Sequence, residues 1–461
     1  MTVSTDLIER SNNFTATSTV TAKSNALYRT LWRWHFYAGM FVIPFIIILS
    51  LTGAVYLFKP QIERIEESGF RNLTVSGAVT PSVQVDAALK AFPGARFVSY
   101  RLPEESGDAT LIHLGLADGE TMRDVFVSPQ GKVLGSLDPE WRIPELMSSI
   151  HSSLLIGEAG SWLVELAASW AIVMILTGLY LWWPKDQRRG RGLAGIVWPR
   201  RRTFIRDLHA VTGFWVAGLA LVVLVSGLPW ANVWGEVFKA ARAQAGWVEG
   251  KQDWKTGASD HAEHDHDAMM AAQAAGLPGA SLNDIVMKAY SENLAFPVLI
   301  QPPGENMVWT VKSNAQNRPL RATLNYDMTD GRLLSRQTFA DRHPIDRAVG
   351  YGIAWHEGQL FGLPNQLIGL ATALALITLT ITGFLMWRRR KPEGKLGAPP
   401  LPTNPAQLRG VAIIMLVLAA LLPLLAASLL LVWLADRLLL PRLPRLARWL
   451  GASAMPSLSK S

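Results

Sequence analysis

Five stretches of this chain are long, apolar and almost uncharged: Phe36–Phe58, Trp162–Trp183, Leu208–Trp230, Leu363–Trp387 and Gly410–Ala435. At 1.5 Å per residue, about 20–26 residues of helix cross a hydrocarbon core of about 30 Å. A helix satisfies its own backbone polar groups where no water can, so these runs are expected to be membrane-spanning helices. Trp34, Trp162, Trp182, Trp183, Trp230 and Trp387 stand at run ends, where amphipathic rings prefer the interface. Charged residues make up 17% of the chain, against about 25% in soluble domains. The deficit lies in the runs; the segments between them are polar enough to fold in water.

Basic residues set the expected orientation. Lys23, Arg29 and Arg33 precede run one, and Lys185, Arg188, Arg189, Arg191, Arg200, Arg201, Arg202 and Arg206 fill the loop after run two. Arg388, Arg389, Arg390 and Lys391 follow run four. If runs one to four alternate, all three clusters share one side, which is then cytoplasmic. The net charge of +8 is explained by these clusters and does not point to nucleic acid. The first 25 residues are polar, so no cleavable signal peptide is expected. Run five fits less simply. As a full span it would leave Arg437, Arg442, Arg445 and Arg448 outside. Either that tail lies as a basic amphipathic helix on the outer leaflet, or the run does not cross; Pro423 at its middle is compatible with both.

The expected fold is a membrane α-helical bundle, a four-span core plus a fifth apolar helix, carrying two periplasmic α+β domains. Residues 1–30 form a cytoplasmic segment, 31–58 the first span, 59–143 the first external domain, and 144–183 a histidine-bearing segment with the second span. Residues 184–207 form the basic loop, 208–230 the third span, 231–342 a His-rich linker and second external domain, 343–391 a second histidine-bearing segment with the fourth span, and 392–461 a linker, fifth run and tail. In the first external domain a helix over Ser82–Ala91 precedes strands at Phe97–Leu102, Thr110–Leu116, Arg123–Val127 and Val133–Leu137. In the second, a helix over Leu282–Tyr290 precedes strands at Phe296–Gln301, Met307–Lys312, Arg321–Tyr326 and Leu333–Gln337.

The likeness of the two halves extends to spacing. His35 precedes Gly53 by 18 residues, and His209 precedes Gly227 by 18. His151 precedes Gly178 by 27 residues, and His356 precedes Gly383 by 27. The unit of span, external domain and span is therefore duplicated. Its four histidines form two equivalent sets, His35 with His209 at the cytoplasmic ends of runs one and three, and His151 with His356 toward the external ends of runs two and four.

Imidazoles at matching depth on facing helices are a means of holding an iron porphyrin. Bis-imidazole ligation fills both axial positions, which suits electron transfer, and glycine nearby permits close approach of a flat macrocycle. Along ideal helix His35 is about 27 Å from Gly53, near one bilayer thickness, so two haems would form an electron path across the membrane. Histidines at an interface also commonly serve only as caps or hydrogen-bond partners, and other pairings such as His35 with His356 stay open. His151 and His356 lie several residues before their apolar runs, and Gly157 with Gly160, and Gly362 with Pro364, are expected to break the helix and fold them back. The chain has no cysteine, which excludes disulfides, thiolate-bound iron–sulfur clusters and thiolate-ligated haem.

Trp34-His35-x3-Gly39, His151 with Leu176-Thr177-Gly178-Leu179-Tyr180-Leu181-Trp182-Trp183, Leu208-His209-x3-Gly213 with Ser226-Gly227, and Trp355-His356-Glu357-Gly358 with Thr382-Gly383 together resemble the PepSY-associated transmembrane helix family. The resemblance covers roughly residues 29–391, and the external units look like its PepSY domains. It implies an inner-membrane protein similar to the haem-containing ferric-siderophore reductases, with His35, His151, His209 and His356 as motif histidines. Haem b, two per chain with bis-His ligation, is the implied cofactor. A ferric siderophore or other ferric chelate in the periplasm is the implied substrate. No dinucleotide fingerprint is present, so a quinol or a separate flavoprotein is the expected electron donor.

Two other readings belong to different classes. One is a non-enzymatic membrane protein whose external units bind a peptide or partner protein. The other is a metal-handling or transport protein built on His261, His264 and His266, which lie with carboxylates beside Met269 and Met270. A solvated linker explains that strip equally simply. Glu158, Glu165 and Glu357 are candidates to tune a nearby cofactor, and Trp141, Tyr351 and Trp355 to line a pocket for the chelate. His113 and His343 are expected to be structural, with His343 a fallback ligand.

Overall fold

The computed structural model describes residues 3–183, 204–248, 279–304, 306–399 and 409–452. Its helices in chain order are α1 (Val3–Tyr56), α2 (Lys59–Glu66), α3 (Pro81–Ala91), α4 (Ile143–Ser153), α5 (Gly157–Trp182), α6 (Phe204–Gly227), α7 (Asn232–Gln244), α8 (Leu282–Ser291), α9 (Pro344–His356), α10 (Leu363–Arg390), α11 (Arg409–Leu421), α12 (Pro423–Leu434) and α13 (Pro444–Leu450). Among the described residues five stretches are long and apolar enough to cross a membrane: Leu27–Tyr56, Gly157–Trp182, Phe204–Trp230, Leu363–Arg390 and Pro423–Arg442. The first four match the expected spans. The fifth run is not the single helix Gly410–Ala435. It breaks at Leu422, which is extended (φ −127°, ψ 92°), because Pro423 lacks the N–H a continuous helix needs. The long apolar helical stretch begins at Pro423 and continues to Arg442. The chain divides into two compact units: one of Met1–Leu51, Ile156–Val237 and Ala371–Ser461, the other of Thr52–Leu155 and Phe238–Leu370.

The second unit contains the strands β1 (Arg96–Arg101), β2 (Thr110–Gly115), β3 (Met122–Val127), β4 (Val133–Leu137), β5 (Val298–Gln301), β6 (Val308–Ser313), β7 (Ala322–Asp327) and β8 (Leu333–Thr338). Each lies where alternation and turn residues place it. The expectation of two separate α+β domains is corrected: among the described residues the strands of both copies belong to one antiparallel sheet of order β4-β3-β2-β1-β5-β6-β7-β8. The copies join through their first strands, with Tyr100 opposite Ile300 and Arg101 opposite Leu299. Either copy alone would expose β1 or β5 as a bare edge, and pairing them removes both edges.

One sheet face is covered by α3 and α8. Val85, Ala88, Ile285, Val286 and Ala289 pack on Tyr100, Ile112, Val125, Val298, Ile300, Val311 and Leu324 in a single core. The helices occupy equivalent places in the two copies and are tied at equivalent residues: the Ser82 backbone N–H donates to Asn283 Oδ1 (3.0 Å), and Asn283 Nδ2 donates to Ser82 Oγ (2.8 Å). On the opposite face of the first copy Phe70 stacks on Phe126 at 4.0 Å, with Ala109 and Leu111 beside them.

A charged cluster borders this second core. His113 Nδ1 lies 2.6 Å from Asp124 Oδ1, and Arg142 reaches Glu66 (3.0 Å) and Glu67 (2.8 Å), while Arg101 meets Glu67 at 2.6 Å. Burial pushes the Asp124 and Glu67 carboxyls up, but His113 at the first and Arg101 and Arg142 at the second outweigh it and hold both below the usual carboxylate range. Their stabilisation is complete above the unfolded value of about 4 and is lost as pH falls through the lower folded value. The unfolding temperature of the detergent-solubilised protein is expected to drop between about pH 5 and about pH 3, and Asp124→Asn to flatten that drop. An identical acid profile in the variant would mean that Asp124 does not couple folding to pH.

Candidate functional site

Helix α4 ends at Leu154, and the chain turns through two leucines with left-handed backbone, Leu154 (φ 52°) and Leu155 (φ 61°), before Gly157 (φ 62°) opens α5. Non-glycine residues seldom adopt that conformation, so surrounding structure must impose it. Gly160 lies inside α5 and breaks nothing, contrary to expectation. In the second copy α9 ends at His356, and Gly358 (φ 74°) and Gly362 (φ 60°) make the turn into α10. Both turns break the helix between the histidine and its span, as expected at Gly157 and at Gly362.

The histidines meet in the two pairs expected from the repeat. The rings of His35 and His209 are 6.4 Å apart between centroids, at 88°. Those of His151 and His356 are 6.2 Å apart, at 87°. His35 Nδ1 is 2.9 Å from the Met174 carbonyl and 3.3 Å from Thr177 Oγ1. His209 Nδ1 is 3.1 Å from the Leu379 carbonyl and 3.0 Å from Thr382 Oγ1. His151 Nδ1 is 3.0 Å from Thr52 Oγ1.

A carbonyl oxygen only accepts, so Nδ1 of His35 and of His209 must carry the proton. That leaves Nε2 with its lone pair, the tautomer that ligates a metal, held by a hydrogen bond on the other ring nitrogen. Among the described residues neither Nε2 has a hydrogen-bond partner. Metal–imidazole bonds of about 2.0 Å, with roughly 1.1 Å from ring nitrogen to ring centre, set two imidazoles across one metal at about 6.2 Å between centroids. Edge-to-face aromatic pairs also fall within that range, so the free nitrogen and fixed tautomer carry more weight than the separation alone.

The glycines of the Thr-Gly pairs have a more local task than admitting a macrocycle. A Cβ on Gly178 would stand 3.0 Å from His35 Cε1, one on Gly53 3.2 Å from His151 Cε1, and one on Gly383 3.4 Å from His209 Cε1. Threonine fixes the ring's Nδ1 edge and glycine leaves room for its Cε1. In the sequence Gly53, Thr177-Gly178 and Thr382-Gly383 stand as landmarks of the repeat and do not declare which ring they contact. The glycines recur 18 or 27 residues after one histidine, yet each pair seats a different one: Thr52-Gly53 seats His151, Thr177-Gly178 seats His35 and Thr382-Gly383 seats His209.

A family model of the PepSY-associated TM region matches residues 32–390, which include all four histidines and all three Thr-Gly seats. The chain belongs to the PepSY-associated TM family. It is a multi-pass membrane protein. No curated protein matches it in sequence. Residues 391–461 of this PepSY-associated TM chain fall outside the matched region.

Other charged and polar candidates have structural roles. Glu165 accepts the backbone N–H groups of Val233 (2.9 Å) and Trp234 (3.1 Å), holding the start of α7. His343 is the N-cap of α9, its Nδ1 accepting from Ile345 N at 3.2 Å, and His113 pairs with Asp124 in the sheet. Glu357 is 3.7 Å from Arg318. Trp141 is exposed, Tyr351 packs edge-on against Phe339, and Trp355 against Phe361. His261, His264 and His266 lie outside the described residues. Among the described residues no group of three or more metal-ligating side chains is assembled.

Each histidine-bearing helix of the sheet unit is pinned by a buried arginine. Arg142, the N-cap of α4, holds Glu66 and Glu67. Arg242 on α7, only 1% exposed, makes a bidentate pair with Asp346 in the first turn of α9, both bonds 2.7 Å. Removing one partner of a buried pair leaves an uncompensated charge, at a cost of about 3–5 kcal/mol. Arg242→Ala is therefore expected to lower the thermal midpoint by many degrees, with Arg242→Met/Asp346→Leu recovering much of the loss. A midpoint unchanged in the single variant would show that the pair does not hold α9.

Proposed function

We propose that this chain is a haem-holding oxidoreductase of a bacterial inner membrane that delivers electrons to a ferric siderophore or another ferric chelate on the periplasmic side. The observation that carries the reading is the repeated perpendicular histidine pair, with Nε2 of His35 and His209 left free among the described residues. His35 with His209, and His151 with His356, would hold the two groups. Haem b, when bound, would supply one-electron chemistry between its ferric and ferrous states.

The remaining work is done by the chain's own residues. Met174 and Leu379 carbonyls keep His35 and His209 in the ligating tautomer. Thr52 orients His151. Apolar spans exclude water, and the basic clusters orient the chain with the sheet unit on the periplasmic side. No side chain need perform acid–base chemistry on the iron. Iron(II) fits hard-oxygen chelators poorly, so reduction releases it. The electron donor would be a quinol or a flavoprotein.

The reading is tested in anaerobic membrane vesicles supplied with a quinol donor and a ferric hydroxamate, with iron(II) trapped by a ferrous-specific chromophore. Iron(II) is expected with the native chain and is expected to fall to background with His35→Ala and with His151→Ala. Iron(II) released by both variants as fast as by the native chain would end the substrate assignment. A chain that holds haem but leaves the chelate untouched would keep the cofactor assignment and remove the acceptor.

A further inference from the structure

The C-terminal part beyond the family match returns to the place it left. Arg33, two residues before His35, donates from its guanidinium to the carbonyl of Pro399 and to the carbonyl of Gly451 (3.4 and 3.3 Å). Four residues on, Tyr37 donates its hydroxyl to the Leu450 carbonyl at 2.6 Å. The Leu396 N–H donates to the Trp449 carbonyl at 2.9 Å, and the Trp387 indole to the Leu396 carbonyl at 2.8 Å. The segment before α11 and the segment after α13 are thus held side by side at the N-terminal end of span one.

Between those points the chain reaches the other end of the helical unit. The Trp234 indole donates to the Leu421 carbonyl at 3.0 Å. Trp234 lies just beyond the end of the span Phe204–Trp230, whose opposite end carries His209 against His35. Leu422 and Leu425 pack with Leu228, and Ser428 accepts from the Trp170 indole at 3.1 Å, midway along α5. From Leu421 through Ser428 to Gly451 the chain therefore descends from the Trp234 end to the Arg33 end.

We propose that residues 409–450 form a membrane hairpin that enters and leaves on the side of Arg33, and that its basic tail rests on the anionic headgroups of that leaflet. The route places Arg437, Arg442, Arg445 and Arg448, all exposed, on the same side as the other basic clusters, so the conflict with the positive-inside pattern disappears. Leu438, Leu439, Leu443, Leu446 and Trp449 are also exposed and continue the uncovered apolar surface of α12, where Trp433 is 55% exposed. An apolar surface edged by arginines fits the boundary between acyl chains and phosphate headgroups. The proposal does not depend on the cofactor reading.

The chain has no cysteine, so single cysteines report position without background. Glu393→Cys, Ser457→Cys and Glu104→Cys are labelled with a membrane-impermeant maleimide, in intact spheroplasts and after permeabilisation. The expected result is that Ser457→Cys behaves as Glu393→Cys does, reacting only after permeabilisation, while Glu104→Cys reacts at once. Ser457→Cys reacting in step with Glu104→Cys and not with Glu393→Cys would overturn the hairpin. If Glu393→Cys and Ser457→Cys both react at once, the orientation proposed above fails and the hairpin stands. For the leaflet contact, Leu446→Cys carries an environment-sensitive dye in vesicles of phosphatidylcholine with or without phosphatidylglycerol. Its emission is expected to move to the blue with the anionic lipid and to return in high salt. Emission indifferent to lipid charge would overturn the headgroup contact.

Discussion

The chain in which His35 is replaced by alanine is expected to keep one haem of two. His35 and His209 would be the two axial donors of one site, and loss of either leaves a single imidazole. The other pair, His151 and His356, belongs to a separate set of helices and keeps its own donors. The haem-to-protein ratio should therefore fall by half in His35→Ala and in His209→Ala. The double variant should be no worse than either single one, because the two residues serve one site. His35→Ala with His151→Ala should remove both. A ratio unchanged in the single variants would mean that these histidines only bond their neighbouring helices. A ratio of zero in each single variant, with the chain still folded, would mean that the sites are not separate.

The second large effect is expected at a residue that would never touch the cofactor. Gly178 lies within α5, where alanine is ordinarily preferred by about 1 kcal/mol. A Cβ there would stand 3.0 Å from His35 Cε1, so the ring must move, and with it the Nδ1 bond to the Met174 carbonyl. Gly178→Val should lose the haem of that site as completely as His35→Ala, while the protein remains in the membrane and folded. Gly383→Ala should be milder, since its Cβ would stand 3.4 Å from His209 Cε1. The measurement is haem content, together with the reduced-minus-oxidised spectrum, at matched protein levels. Full occupancy in Gly178→Val would show that this glycine does not seat the ring.

Much of this arrangement was legible in the sequence. Four apolar stretches, eight strands and two equivalent sets of histidines follow from apolar length, period-two alternation and two spacings, while the sequence left the pairing within those sets open. What could not be read were the features that depend on tertiary partners. Nothing local in Phe97–Leu102 or Phe296–Gln301 says that these two strands will pair, because the preference arises only when both would be edges. The role of Thr177-Gly178 was hidden for the same reason, since the ring it seats is 142 residues away in the chain. The fifth run read as one helix because hydropathy reports apolar length and not continuity. Pro423 signalled a break, but only the bonds of Arg33 and Tyr37 show where the chain goes afterwards.

If the two histidine pairs each hold a haem, the haem content of the purified protein reports it. The protein is purified in detergent, its concentration is fixed by amino-acid analysis, and its haem is quantified as the pyridine complex. Two b-type haems per chain are expected, with a sharp visible band on reduction. A folded, monodisperse preparation, expressed with ample haem supply and still colourless, would contradict the account.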